Sequence, residues 1–217
     1  MKFKMVVFDL DGVLVKEPSA WWTLHQAFGS YEGSKANMQA YVTGKIDYPE
    51  FMRSDISLWG RRNIKEVEAI LLKSTLTEGA LEMCNILRER DYRMAILSAG
   101  IDILARTVSE KVGIEIWTAN GLEIDDQGFL TGEGIFRVDL IEKHRALPNI
   151  LDPLGMQFSE TIAVGDSKYD VSFMQAAAGI AFIRDGSKES QAWVKPWHKI
   201  FRLGDRVLSV SLHEIRW

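Results

Sequence analysis

Phe8-Asp9-Leu10-Asp11-Gly12-Val13-Leu14 follows the short apolar run Met5-Val6-Val7. A brief apolar run bounded by turn residues reads as a buried strand, and here two carboxylates stand where it ends. In open α/β sheets, ligands bind in the crevice beyond the carboxyl ends of the strands. Side chains two apart on an extended chain point the same way, so Asp9 and Asp11 face one reaction centre. Gly12 permits a sharp turn after them. The plain rival is a strand-end turn, because Asp and Gly are common turn residues.

Further strand-like runs over 93–98 and 161–165 alternate with helical patterns, which predicts an α/β fold built on a doubly wound parallel sheet. Ala95-Ile96-Leu97-Ser98-Ala99-Gly100 is apolar and ends in a hydroxyl and a small-residue turn. Thr161-Ile162-Ala163-Val164-Gly165 leads to two more carboxylates, Asp166 and Asp170, and Lys143 lies in a helix-like stretch before it. Residues 79–90 place apolar side chains at helical spacing, and Ile101 to Val112 reads as the next helix, closed by Gly113. Ile114 to Ala119 reads as a short strand. After Asp170, Val171 to Ala178 reads as a helix ended by Gly179, followed by strands over 180–183, 200–203 and 207–212.

Residues 15–75 carry no strong β pattern. Trp21, Trp22, Leu24, His25 and Phe28 form one apolar band, and Met38, Tyr41 and Val42 begin another. Phe51, Met52, Ile56, Leu58 and Trp59 make a third, and Val67, Ile70, Leu71 and Leu72 a fourth. Their aromatics read mostly as bundle core. Asn120 to Gly132 alternates around central turn residues, the pattern of a β-hairpin.

At 217 residues, the chain is long enough for one full core and a modest insertion. Its hydrophobic share of 47% and charged share of 26% are those of a soluble globular protein. A formal charge of −4 offers no basic surface to nucleic acid. No apolar run approaches the length of a membrane span, and the N-terminal run meets Asp9 too soon for a signal peptide. A cytoplasmic location is expected. The single cysteine, Cys84, rules out an internal disulfide framework and reads as a buried structural thiol. The C-terminal tryptophans Trp193, Trp197 and Trp217 read as packing or an oligomer contact, which leaves room for a homodimer.

Asp9, Asp11, Ser98, Lys143, Asp166 and Asp170, in this order, resemble the four motifs of the haloacid dehalogenase (HAD) superfamily of phosphotransferases. The resemblance covers most of the chain and is greatest to the phosphoserine phosphatase branch. It implies a HAD-like Rossmannoid core over 1–14 and 76–217, a hairpin flap near 120–132 and a helical cap over 15–75.

The chemistry of these residues agrees. A phosphomonoester dianion resists an anionic nucleophile unless its charge is neutralised. Asp9, Asp166 and Asp170 form an all-oxygen site of the kind that suits Mg2+. Asp9 is the candidate nucleophile, giving an aspartyl-phosphate. Asp11 is the candidate acid for the leaving oxygen and then the base for water. The resemblance adds a metal contact from the Asp11 backbone carbonyl. Ser98 with Ala99 and Gly100 would hold a phosphoryl oxygen, and Lys143 would neutralise another. Ser98 could instead cap a helix. Arg145 is the nearest rival to Lys143, which the resemblance favours; Asp170 is a ligand or an orienting group.

These residues predict a Mg2+-dependent phosphomonoester hydrolase of a small phosphorylated metabolite. A dehalogenase needs neither an acid at Asp11 nor a metal ligand at Asp166. A phosphomutase would keep the motifs and differ in the cap, and a non-catalytic HAD-fold binding protein would have lost the nucleophile. For phosphoserine, the resemblance expects an acid shortly after the first motif and an arginine in the cap. Pro18 and Asp55 stand at those positions, with Glu17 and Arg53 as the neighbours that could substitute. The second motif also departs, with Ala99 where that branch usually has glycine.

Overall fold

Met5–Phe8 (β1) is buried at all four residues, as expected of a strand covered on both faces. The structure, a computed structural model, describes residues 3–177, 179–184, 198–203 and 206–211. Parallel neighbours flank β1: Arg93–Ile101 (β2) on one side and Thr161–Gly165 (β5) on the other. Ile116–Ile124 (β3) pairs parallel with β2, and Gly179–Arg184 (β6) parallel with β5. Antiparallel strands close both ends: Leu130–Ile135 (β4) beside β3, and Arg206–Ser211 (β8) with His198–Leu203 (β7) beyond β6. The sheet order is β4-β3-β2-β1-β5-β6-β8-β7. Trp193, Trp197 and Trp217 lie outside the described residues.

Helices Ala80–Glu89 (α5), Asp102–Val112 (α6), Leu147–Leu151 (α7) and Val171–Ala176 (α8) accompany the parallel strands. Four more precede them: Ala20–Ala27 (α1), Tyr31–Val42 (α2), Tyr48–Trp59 (α3) and Ile64–Leu71 (α4). Local chemistry sets their starts. Ser19 caps α1, Asp47 caps α3 by accepting from the Glu50 amide, and Asn63 with Glu66 forms a capping box on α4. Each such cap is typically worth about 1 kcal/mol. None of the helices is long and apolar enough to cross a membrane, among the described residues.

The chain leaves β1 and returns to α5 along paired segments. Lys16 N–H donates to Thr75 O (2.9 Å) and Thr77 N–H to Leu14 O (2.8 Å). Glu17 bonds there too, its carboxylate accepting from Thr75 N (3.1 Å) and Oγ1 (3.0 Å).

Three sequence expectations are corrected. The strand over 114–119 and the first arm of the hairpin are one strand, β3. It pairs with β2 up to Asn120 and with β4 from Gly121. Ser98 lies within β2, and α6 begins beyond it without a side-chain cap, so Ser98 is not a helix cap. Gly179 does not end α8; it pairs with Ile162 as the first residue of β6. The hairpin packs on α3, where a Cβ on Gly134 would strike Met52. Its turn is joined to the start of α4 by Ile64 N–H on Gly128 O (2.9 Å).

Candidate active site

Beyond the end of β1, Asp9 N–H donates to Val164 O of β5 (2.8 Å), which aims the next residues across the carboxyl edge of the sheet. Lys143 opens a 3-10 turn, Lys143–Ala146, and is 2% exposed. Its ammonium lies 3.0 Å from Asp9 Oδ1 and 2.5 Å from Asp170 Oδ1. The other Asp170 oxygen accepts from Asp166 N (3.1 Å), Ser167 N (2.9 Å) and Ser167 Oγ (2.9 Å). Asp170 thus binds the loop after β5 to the lysine. One carboxylate oxygen from each of Asp9, Asp166 and Asp170 lies within 4.8 Å of the others. Gly12 makes that convergence possible: its φ is +75°, and a Cβ there would run into the Asp166 carboxylate.

Three carboxylates here face one ammonium, and burial magnifies the imbalance. Burial, then Asp170, pushes the Asp9 carboxyl well above its ordinary range, against the pull of Lys143. Burial alone would disfavour the Lys143 charge, but Asp170 and Asp9 outweigh it and hold the proton on. Asp170 is driven the other way: burial opposes its charge, yet Lys143 and the Ser167 hydrogen bonds lower its pKa. An all-oxygen donor set with surplus negative charge fits a hard divalent cation.

Asp11 is set apart from this cluster. Burial, opposed by Lys143, raises its carboxyl to about 7, so it can carry a proton near neutrality. Its Oδ1 is buried with no hydrogen-bond partner among the described residues. Its other oxygen lies against Gly100, where a Cβ would collide with it. Ser98 Oγ accepts from Gly100 N–H (2.9 Å), which leaves its own O–H to donate to a ligand. Ala99 O accepts from three side chains: Trp21 Nε1 (3.1 Å), Tyr48 Oη (2.8 Å) and Asn120 Nδ2 (3.0 Å).

Asp9, Asp11, Ser98, Ala99, Gly100, Lys143 and Asp166 line one cavity of about 490 Å3, which extends among the helices α1 to α3. Asp170 lies fully buried beside it. Arg145 points away and pairs with Glu142 at 2.9 Å. The structure does not bring Glu17 or Arg53 to the cavity. Glu17 is engaged with Thr75, and its neighbour Pro18 lines the wall instead. Arg53 is half exposed and bonded to Glu133 (2.8 Å) and to Glu50. Asp55, not Arg53, lies on the inner face of α3 and lines the cavity.

Sequence reasoning missed Asn120 and the part Trp21 and Tyr48 play at Ala99. No local pattern marks an amide that reaches a distant carbonyl. It also missed the Asp55–His25 pair (3.1 Å), although Asp55 falls in register with Tyr48, Phe51, Met52, Ile56 and Trp59 on one helical stripe.

The family model of the haloacid dehalogenase-like hydrolases matches residues 6–175. The phosphoserine phosphatase of Methanocaldococcus jannaschii is 33% identical over 186 residues, covering 83% of this chain and 86% of its own length. The probable phosphoserine phosphatase of Schizosaccharomyces pombe is 31% identical over 83% of this chain, which spans 61% of it. A solved phospho-aspartyl intermediate analogue of phosphoserine phosphatase superposes with a TM-score of 0.71. It is 31% identical, over 83% of this chain and 86% of that one.

Proposed function

The chain belongs to the haloacid dehalogenase-like hydrolases, and from that membership we propose a Mg2+-dependent phosphomonoesterase of a small phosphorylated metabolite, working through phospho-Asp9. One observation carries the reading. The Lys143 ammonium touches Asp9 (3.0 Å) and Asp170 (2.5 Å) in the cavity that also presents Ser98 and Asp11.

Asp9 attacks phosphorus in line with the leaving oxygen, and that P–O bond breaks as the new one forms. Asp11, protonated, gives its proton to the departing alkoxide, so the alcohol leaves neutral. The Ser98 O–H and the Lys143 ammonium hold the equatorial oxygens as charge shifts onto them. Asp11, now ionised, takes a proton from water, whose oxygen attacks phosphorus and releases Asp9 with inorganic phosphate. Asp9, Asp166 and Asp170 would hold the divalent cation, with the Asp11 backbone carbonyl added by family resemblance. When bound, the ion neutralises the phosphate dianion and the carboxylate that attacks it. Residues 15–75 would serve as the cap that excludes water from this chemistry.

The test is phosphate release from a panel of phosphomonoesters after chelation and after Mg2+ add-back, in wild type and Asp9→Asn. Turnover should require the ion and vanish in the variant while its circular dichroism stays native. Near-normal turnover by folded Asp9→Asn would refute the mechanism.

A further inference from the structure

We infer that the cavity selects the phosphate ester of a cationic amino alcohol without a carboxylate, with Asp55 as the counter-charge to its amine; this rests on the phosphomonoesterase reading. Asp55 is 2% exposed and lines the same cavity as Asp9. Its Oδ1 accepts from the neutral Asn37 amide (2.8 Å). Its Oδ2 stands 3.1 Å from His25 Nε2.

That histidine is held from its other side. Trp59 Nε1 donates to His25 Nδ1 at 3.1 Å, and Ser30 Oγ is 2.7 Å from the same nitrogen. An indole N–H can only donate, so Nδ1 accepts and the ring proton sits on Nε2. Asp55 is therefore buried with one hydrogen bond, from a neutral amide, and faces an imidazole nitrogen at 3.1 Å that makes none, an arrangement that gains from an arriving cation.

The surrounding wall favours the same guest. Trp21, Trp22, Tyr31, Tyr48 and Phe51 line the cavity, and aromatic faces attract ammonium groups. One ring already does so: the Lys35 ammonium lies 4.4 Å over Tyr31 while bonded to Glu32 at 2.8 Å. Among the described residues, no arginine lines the cavity. The amine of phosphoserine would fit, but its carboxylate would find no guanidinium there, and Lys35, the lysine that lines the cavity beside Tyr31, is already paired with Glu32.

The experiment compares kcat/KM for phosphoethanolamine, phosphocholine, L-phosphoserine and n-propyl phosphate, with Mg2+ and wild-type protein. The cationic esters should exceed both of the others by on the order of tenfold or more, the effect of a desolvated cation on aromatic rings and a carboxylate. A lead for phosphoethanolamine assigns recognition to hydrogen bonding at Asp55, and a lead for phosphocholine to the aromatic wall. Preferred phosphoserine, or n-propyl phosphate equal to the amines, overturns the inference and leaves the hydrolase reading intact. No release from any ester overturns that reading and this one with it. Asp55→Asn should shrink the ratio of amine to n-propyl ester. An unchanged ratio in folded variant protein also overturns the inference.

Discussion

Replacing Lys143 with Met keeps the aliphatic stem and removes the charge that both Asp9 and Asp170 depend on. The lysine side chain is 3% exposed and its partners 7% and 0%, so water does little to screen the loss. Removing one partner of a buried pair typically costs about 3–5 kcal/mol. For a chain of this length each kcal/mol lowers Tm by about 2–4 °C, which gives a fall of roughly 6–20 °C. A stranded carboxylate can take up a proton instead of staying charged, so the lower half of that range is expected. The assay is thermal unfolding with and without Mg2+. A cation held by Asp9, Asp166 and Asp170 replaces part of the missing charge, so Mg2+ should raise the Tm of the variant more than that of wild type. Arg145→Met, which removes only an exposed pair with Glu142, should unfold like wild type. A Lys143→Met variant no less stable than Arg145→Met would refute the reasoning.

Asp11→Asn should slow phosphoryl transfer from alkyl phosphates to Asp9 by about 10²–10⁴-fold but spare that step for p-nitrophenyl phosphate, whose phenolate leaves without a proton, so the variant should release a burst of p-nitrophenol before the slowed water step; a missing burst would count against Asp11 as the acid. Arg53→Ala should leave KM unchanged across the ester panel, because the guanidinium bonds Glu133 and Glu50 outside the cavity. A many-fold rise in KM would return Arg53 to the site. Burial pushes the Cys84 thiol up to about 11, so thiol reagents at pH 8 should modify it only after unfolding. Since that value lies above the unfolded one of about 8.5, the protonated thiol favours the fold below that pH. The contribution fades as pH rises toward the folded value, and ready labelling of native protein would contradict it.

What the sequence made legible is what depends on neighbours along the chain. Asp9, Asp11 and Gly12 follow a strand within a few residues, and Asp166 and Asp170 do the same, so strand-end chemistry could be read directly. The choice between Arg53 and Asp55 needed one more step. Residues two positions apart on a helix stand about 200° apart around its axis, so a stripe through Tyr48, Phe51, Met52, Ile56 and Trp59 includes Asp55 and turns Arg53 outward. Charge type alone favours Arg53 as a site residue, and helical phase favours Asp55. Asn120 is a different case. Its Oδ1 accepts from Arg137 N (2.8 Å) and Val138 N (2.9 Å), while its Nδ2 donates to Val138 O and Ala99 O. Each partner lies at least 17 residues away, and no local periodicity encodes them. The continuity of β3 was hidden for a similar reason, because one strand changes partner from β2 to β4 within two residues.

The Ala99 carbonyl has two lone pairs and three donors. Two of them, Trp21 and Tyr48, belong to α1 and α3, and the third belongs to the sheet. Any swing of those helices away from the sheet removes two of the three donors and leaves one. Asn120 keeps the carbonyl occupied, and the indole and phenol take water in exchange. The peptide that would cradle phosphate therefore keeps a hydrogen bond to the sheet when the mouth above it widens. Entry of substrate and departure of product need not disturb the part of the protein that must be ready for the next turnover.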